Sequence, residues 1–149
     1  MRLWPIADLA ATFRPFGVLA LTALISAACT PPTRQAPAAR LYAIDQADGA
    51  KSCTVSPMQV ADGRETPIAM TVGNDGGWCA LTLSNSGQPY AAGLLTARPA
   101  HGRVYIHTVG SATRIDYTPT AQHAGPDSFT VKMQPGDAVA RVAVTVSPK

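Results

Sequence analysis

Residues 114–133, RIDYTPTAQHAGPDSFTVKM, decide the fold of this chain. Apolar and polar side chains alternate in RIDYT, and they alternate again in DSFTVKM, which follows a turn containing Pro and Gly. Alternation with a period of two is typical of β-strands that pack one face against a core and expose the other face to water. The stretch therefore predicts two strands that place Tyr117 and Phe129 in the core.

The turn between these two runs contains residues that end one strand and open the next. Pro119 stops the hydrogen-bond ladder because it lacks an N–H, Gly125 permits a bend that is closed to other residues, and Asp127 can cap the turn through its side chain. This order resembles the closing strands of bacterial immunoglobulin-like and cadherin-like repeats, and PAHGRVYI at 99–106 is similar to the hairpin before them. The resemblance covers roughly the last 60 residues and implies a single immunoglobulin-like antiparallel β-sandwich.

Predicted strands and turns alternate in the same way through the rest of the domain. Turn residues recur about every 8 to 12 positions, which is typical of an all-β sandwich or barrel. We predict about seven or eight strands, the number in an immunoglobulin-like sandwich, within a domain spanning 52–149. Residues 41–51, LYAIDQADGAK, fit either a short helix or an edge strand.

The N-terminus has a different character from the domain. The segment 16–28, FGVLALTALISAA, is apolar or small, and Arg2 and Arg14 precede it. A basic region, an apolar stretch and small residues before a cleavage point form an export signal. A membrane-spanning helix needs about 20 apolar residues, so this stretch is short for a permanent span. We predict a cleaved signal peptide over 1–28, with a short retained anchor helix as the alternative.

Cys29 directly follows the residues Ile-Ser-Ala-Ala at 25–28. This arrangement resembles the lipobox of bacterial lipoproteins, with Ser26 at the position where that family prefers Leu. The resemblance implies that Cys29 is acylated and becomes the mature N-terminus. Thr30, rather than Asp, after the cysteine implies an outer-membrane anchor that faces the periplasm. The alternative is ordinary cleavage before Cys29, which leaves a free thiol.

The predicted lipid anchor at Cys29 leaves the other two cysteines available for a disulfide. The chain has 3 cysteines, and acylation of Cys29 leaves Cys53 and Cys79 as an even pair. Because exported domains form and keep disulfides, the resemblance predicts a Cys53–Cys79 bond. The segment TPPTRQAPAAR after Cys29 is rich in Pro and Ala, so it favours an extended spacer rather than a packed element. We predict a lipidated N-terminus and flexible tether over 29–51.

Charge and motif content favour a non-catalytic protein. The net charge is +3, and Lys and Arg are scattered singly, whereas a nucleic-acid-binding surface gathers them into a patch. His101, His107 and His123 have neither a second histidine nor a carboxylate at metal-ligand spacing, and the motifs of nucleophilic or phosphate chemistry are missing. We therefore predict no enzyme activity, no cofactor, no metal and no nucleic-acid partner. A Ca²⁺ site at Asp127 with help from Asp116 and Asp137 is the alternative to a turn cap.

Outward-facing aromatic residues are the remaining candidates for a functional site. Trp78 precedes a core-facing cysteine and so points the other way, while Tyr105 and His107 alternate with the apolar side of their strand. These residues predict a contact surface for an unidentified envelope protein or glycan, with Tyr90 as a further candidate. The alternative is that residues 41–51 fold back over Trp78, or that the aromatics are isolated.

The function class follows from the predicted anchor and fold. We predict a non-catalytic, lipid-anchored envelope protein, an immunoglobulin-like module for interaction, adhesion or assembly. The alternative is a small periplasmic inhibitor or accessory subunit of an envelope enzyme or secretion machine. An inhibitor inserts a loop into its target, so changing one loop abolishes its effect. An interaction module tolerates loop changes and loses function when its tether is shortened.

Overall fold

The computed structural model describes residues 40–149, which form a short 3-10 helix and eight strands. The predicted signal peptide, the lipidation of Cys29 and most of the predicted tether lie outside these residues. Between residues 40 and 149, no helix is long and apolar enough to cross a bilayer. The elements are the helix Ala43–Gln46 and the strands β1 Cys53–Val55, β2 Glu65–Gly73, β3 Cys79–Leu83, β4 Ala92–Ala97, β5 Gly102–Val109, β6 Ala112–Pro119, β7 Gly125–Gln134 and β8 Val139–Ser147.

The strands form two sheets with the order β1-β2-β8-β7-β4 and β3-β6-β5. When β3 to β8 are read as strands B to G, these sheets contain the B-E-D and C-F-G groupings of an immunoglobulin fold. The predicted immunoglobulin-like β-sandwich is thus confirmed. One pair departs from antiparallel order, since β2 runs parallel to β8 from Glu65 beside Val139 to Gly73 beside Ser147. The alternation of apolar and polar residues is the same in a parallel and an antiparallel strand, so the sequence could not reveal this parallel pairing.

The core lies between the sheets and uses the alternating residues identified in the sequence. Tyr117 and Phe129 are fully buried, and their rings stack with centroids 5.7 Å apart. Tyr90 is also buried, so the expectation that it belongs to the surface is wrong. It lies in the loop between β3 and β4, where the Tyr90 N–H donates to the Thr113 hydroxyl at 2.9 Å.

Asp127 connects the start of β7 to the loop before β5. Its carboxylate accepts the Tyr117 hydroxyl at 2.8 Å, the N–H groups of Ala100 and His101 at 2.9 and 3.0 Å, and its neighbour Ser128 N–H at 2.9 Å. Burial alone would raise the pKa of Asp127, but these hydrogen bonds outweigh burial and lower its pKa below the ordinary value. The pKa of Tyr117 is raised by burial and by this bond. Pro119 ends β6, and Gly125 opens β7 with a φ of 127°.

A disulfide joins Cys53 in β1 to Cys79 in β3, and so links the two sheets. Cys79 is fully buried, whereas Cys53 lies exposed at the sheet edge. The two residues are 26 positions apart. Closing a loop of this length stabilises the fold by about 3–4 kcal/mol in the chain-entropy model. The predicted bond is confirmed.

Candidate functional site

The three predicted surface residues share one face of the molecule, the outer side of the sheet β3-β6-β5. Trp78 lies immediately before β3, while Tyr105 and His107 project from β5. On β6 between them, Asp116 pairs in register with Tyr105 and Arg114 pairs with His107. We call these five residues the aromatic face.

The centre of the aromatic face is a buried ion pair. The Arg114 guanidinium donates from Nε to Asp116 Oδ1 at 2.8 Å and from Nη2 to Oδ2 at 2.9 Å. His107 Nε2 lies 3.0 Å from the same Oδ2. Arg114 and Asp116 are only 7% and 6% exposed although they lie on the outer side of a sheet. A covering segment explains this burial.

That segment is residues 41–50, which we call the strap. The Ala50 N–H donates to the Trp78 carbonyl at 2.8 Å, the Trp78 N–H donates to Asp48 at 3.1 Å, and the indole Nε1–H donates to the Ala47 carbonyl at 2.8 Å. The Arg114 guanidinium also donates to the Asp45 carbonyl. The interpretation that residues 41–51 fold back over Trp78 is therefore confirmed. The sequence allowed either a short helix or an edge strand for residues 41–51. Each holds in part, because the strap contains a 3-10 turn and then a single β-bridge from Gly49 to Trp78.

Two aromatic contacts complete the packing of this face. The Arg114 guanidinium lies 4.2 Å from the centre of the Trp78 ring, a cation–π contact made by a side chain that is only 9% exposed. Such contacts stabilise by about 2 kcal/mol when they are desolvated. The Tyr105 and His107 rings lie 4.6 Å apart and are tilted by 35°. The face is thus held by polar and aromatic contacts rather than by apolar packing.

A cleft of about 350 Å³ opens beside the ion pair. It is lined by Trp78, Arg103, Val104, Tyr105, Asp116 and Thr118. A second depression of about 370 Å³ adjoins it and shares Arg103 and Thr118. The two depressions form a groove that runs from the aromatic rings toward the turn after β6.

Exposed apolar side chains are concentrated around this face. Five large apolar residues are exposed in residues 40–149, and three of them, Leu41, Tyr42 and Ile44, belong to the strap. A fourth, Tyr105, is 64% exposed on the sheet that the strap crosses. The fifth is Leu94 on β4, in the other sheet.

The sequence did not reveal two of the central residues or the histidine contacts. The alternation of residues in β6 predicts that Arg114 and Asp116 are charged side chains exposed on the outer face of the sheet. In the structure the strap covers them, so they form a buried ion pair. Spacing along the chain indicates no metal ligands among the histidines, but it does not reveal the contacts that they make in space. His107 meets Asp116 across two strands, and the His101 and His123 rings stack 4.1 Å apart. In the described part of the chain, no three metal-ligating side chains converge.

No protein-family model matches this chain, and no curated protein matches it. Its class is therefore stated from its own structure, as an eight-stranded immunoglobulin-like β-sandwich with one disulfide between its sheets.

Proposed function

We propose that this chain is a non-catalytic, lipid-anchored module of the bacterial cell envelope that contacts a membrane-proximal partner through its strap and aromatic face. The anchor is Cys29, and the protein is held at the outer membrane facing the periplasm. The partner is an envelope protein or a glycan.

The disulfide supports the proposed location. Disulfides persist in exported proteins and are rare in reducing compartments. The Cys53–Cys79 bond uses two of the 3 cysteines. Cys29 then remains as the cysteine that follows the signal-like segment, where a lipid anchor accounts for it.

The clustering of exposed apolar side chains is the observation that carries the proposed contact role. Four of the five exposed large apolar residues in the described part of the chain lie on the strap or the aromatic face. Single exposed apolar residues are common on protein surfaces, whereas several grouped in one region are typical of interaction sites. The chain from Cys29 to Leu41 can extend at most about 40 Å, so an anchored module would keep this face close to the membrane.

The hydrogen bonding of the ion pair supports a binding role over a catalytic one. Both Asp116 oxygens accept from Arg114, and one also contacts His107. Arg114 in turn holds the strap through the Asp45 carbonyl. These groups therefore serve to position the face, which is what a preorganised binding surface needs.

Site-specific photocrosslinking in living cells tests the contact face. A benzophenone amino acid would replace Tyr105 or Ile44, with Leu94 as the matched control because it is also exposed but lies on the other sheet. We expect both test positions to crosslink to the same envelope component and the control position to give no such adduct. Equal crosslinking from Leu94, or none from the test positions, would contradict the proposal.

A further inference from the structure

We propose that the groove beside Tyr105 binds an acidic oligosaccharide, with one sugar ring between the two aromatic walls and a carboxylate on Arg103. This inference deepens the proposed function by naming the chemistry of the partner, and it rests on the aromatic face being the contact face. The shape, the hydrogen-bonding floor and the charge of the groove each support it.

The two aromatic walls of the groove lie diagonally across β6. Trp78 precedes Cys79, which pairs with Tyr117 on β6, and Tyr105 on β5 pairs with Asp116 on β6. Neighbouring strands lie about 4.8 Å apart, and successive residues lie about 3.3 Å apart along a strand. Because Trp78 stands beside Thr118 and Tyr105 beside Asp116, their backbones are about 10 Å apart across β6 and about 7 Å apart along it. Both side chains nevertheless line the same cleft of about 350 Å³. Carbon atoms in contact are about 3.5–4 Å apart, so one ring in the cleft can contact the two aromatic walls from its opposite ends.

The floor of the groove offers hydrogen bonds in fixed positions. Asp116 accepts three hydrogen bonds from Arg114 and His107. A carboxylate has about four lone-pair sites, so one remains for a sugar hydroxyl. Thr118 adds a hydroxyl that both donates and accepts. Because its hydrogen-bond partners already fix the Asp116 side chain, ligand binding does not carry the entropy cost of ordering it.

The charge of the groove favours an acidic ligand. Arg103 is exposed and forms no salt bridge with any residue between 40 and 149. Its planar guanidinium can bind a carboxylate through two hydrogen bonds. Asp116, the carboxylate that lines the same cleft, is already paired with Arg114. A ligand that approaches the groove therefore meets an unpaired positive charge.

The second depression indicates a ligand of more than one ring. It continues past Arg103 and Thr118 to Gly76, Thr120 and Ala121, and its volume of about 370 Å³ adds to the 350 Å³ of the first cleft. A chain of sugars would place one ring against the aromatic walls and the next beyond Arg103. Arg103 stands where the two subsites meet.

Isothermal titration calorimetry on the exported, detergent-extracted protein tests this inference. The probes are short oligomers of galacturonate, mannuronate and glucuronate, and the same oligomers after reduction of their carboxyl groups to alcohols. We expect at least one acidic series to bind and its reduced form to bind more weakly. Arg103→Gln should weaken binding of the acidic form about ten- to hundredfold, as expected for loss of a charged hydrogen bond, and leave the reduced form unchanged. Tyr105→Ala should weaken both forms about two- to tenfold.

Two matched controls make the outcome specific. Arg141→Gln removes an exposed arginine on the other sheet, and Tyr42→Ala removes an exposed aromatic of the strap that does not line the groove. Both should leave sugar binding unchanged. Absence of binding by every acidic oligomer, equal binding of the reduced oligomers, or full affinity in Arg103→Gln would overturn the inference. If crosslinking from Tyr105 and Ile44 nevertheless captures one protein, the contact face survives and only the glycan is rejected.

Discussion

Replacement of Arg114 by Met tests the idea that a buried ion pair holds the strap on the sandwich. The change removes the guanidinium but keeps an apolar side chain of similar length. It leaves Asp116 buried without its main partner, and it also removes the contacts with Trp78 and the Asp45 carbonyl. Loss of one partner from a buried pair costs about 3–5 kcal/mol. Small domains have a total stability of roughly 5–15 kcal/mol, so this change removes a large part of it.

Urea unfolding with the disulfide intact, followed by circular dichroism, measures this effect. The matched control is Arg141→Met, which breaks the pair between Arg141 and Glu65. The side chains of that pair are 67% and 53% exposed, against 9% and 8% for Arg114 and Asp116. Exposed pairs contribute about 0–1 kcal/mol, so the control should differ little from the parent protein.

A double-mutant cycle separates the ion pair from other effects of the change. Asp116→Leu alone should also destabilise strongly, because it leaves the Arg114 charge buried. The double variant should lose less stability than the sum of the two single variants, since no unpaired charge remains. If Arg114→Met costs no more than Arg141→Met, or if the two single effects simply add, the ion pair does not organise this face.

Three further changes test the sandwich beneath the face. Gly102→Ala should destabilise by about 1–3 kcal/mol, measured by urea unfolding, because its Cβ would overlap the buried Tyr117 ring. Asp127→Asn should lower stability at neutral pH by about 1–2 kcal/mol. Hydrogen bonds lower the pKa of Asp127 in the folded state. Its carboxylate therefore contributes to the free energy of unfolding above the ordinary pKa of about 3.9, and this contribution is lost as the pH falls through the lower pKa of the folded state. Asp127→Asn should accordingly lose less stability than the parent protein on acidification. Replacing both Cys53 and Cys79 by Ala should lower the free energy of unfolding by about 3–4 kcal/mol.

Each of these changes has an outcome that would contradict its reasoning. Gly49→Ala is the control for the glycine change, because its Cβ would lie 3.6 Å from the Trp78 ring, at ordinary contact distance. Equal effects of the two glycine changes would show that overlap with Tyr117 is unimportant. An unchanged pH profile in Asp127→Asn would mean that its carboxylate is equally stabilised when unfolded. A cysteine variant as stable as the parent would show that the bond does not restrict the unfolded chain.

The sequence was sufficient to predict the elements that repeat with a fixed period. The alternation in residues 114–133 identified two strands and placed Tyr117 and Phe129 in the core, and the structure confirms both. Such local patterns are reliable because burial of every second residue is the main driving force of a strand. The parallel pairing of β2 with β8 is a long-range choice that leaves no mark on local alternation.

The candidate site was only partly predictable for a related reason. Trp78, Tyr105 and His107 could be assigned to an outer face from alternation alone. The burial of Arg114 and Asp116 depends on the strap, a segment without periodicity that is far from them along the chain. Their contacts with Asp45 and His107 arise from tertiary packing and cross-strand register, which a single sequence does not display.

The intact mass of the native protein, extracted in detergent and measured before and after reduction, most directly tests the proposal that Cys29 anchors the sandwich to the membrane. We predict the mass of residues 29–149 plus acyl chains, and a gain of two hydrogen atoms on reduction as the Cys53–Cys79 bond opens. A mass that leaves Cys29 unmodified, or that retains residues 1–28, would contradict the proposed anchor. The protein would then have to be assigned another location, and the membrane-proximal contact face would lose its basis.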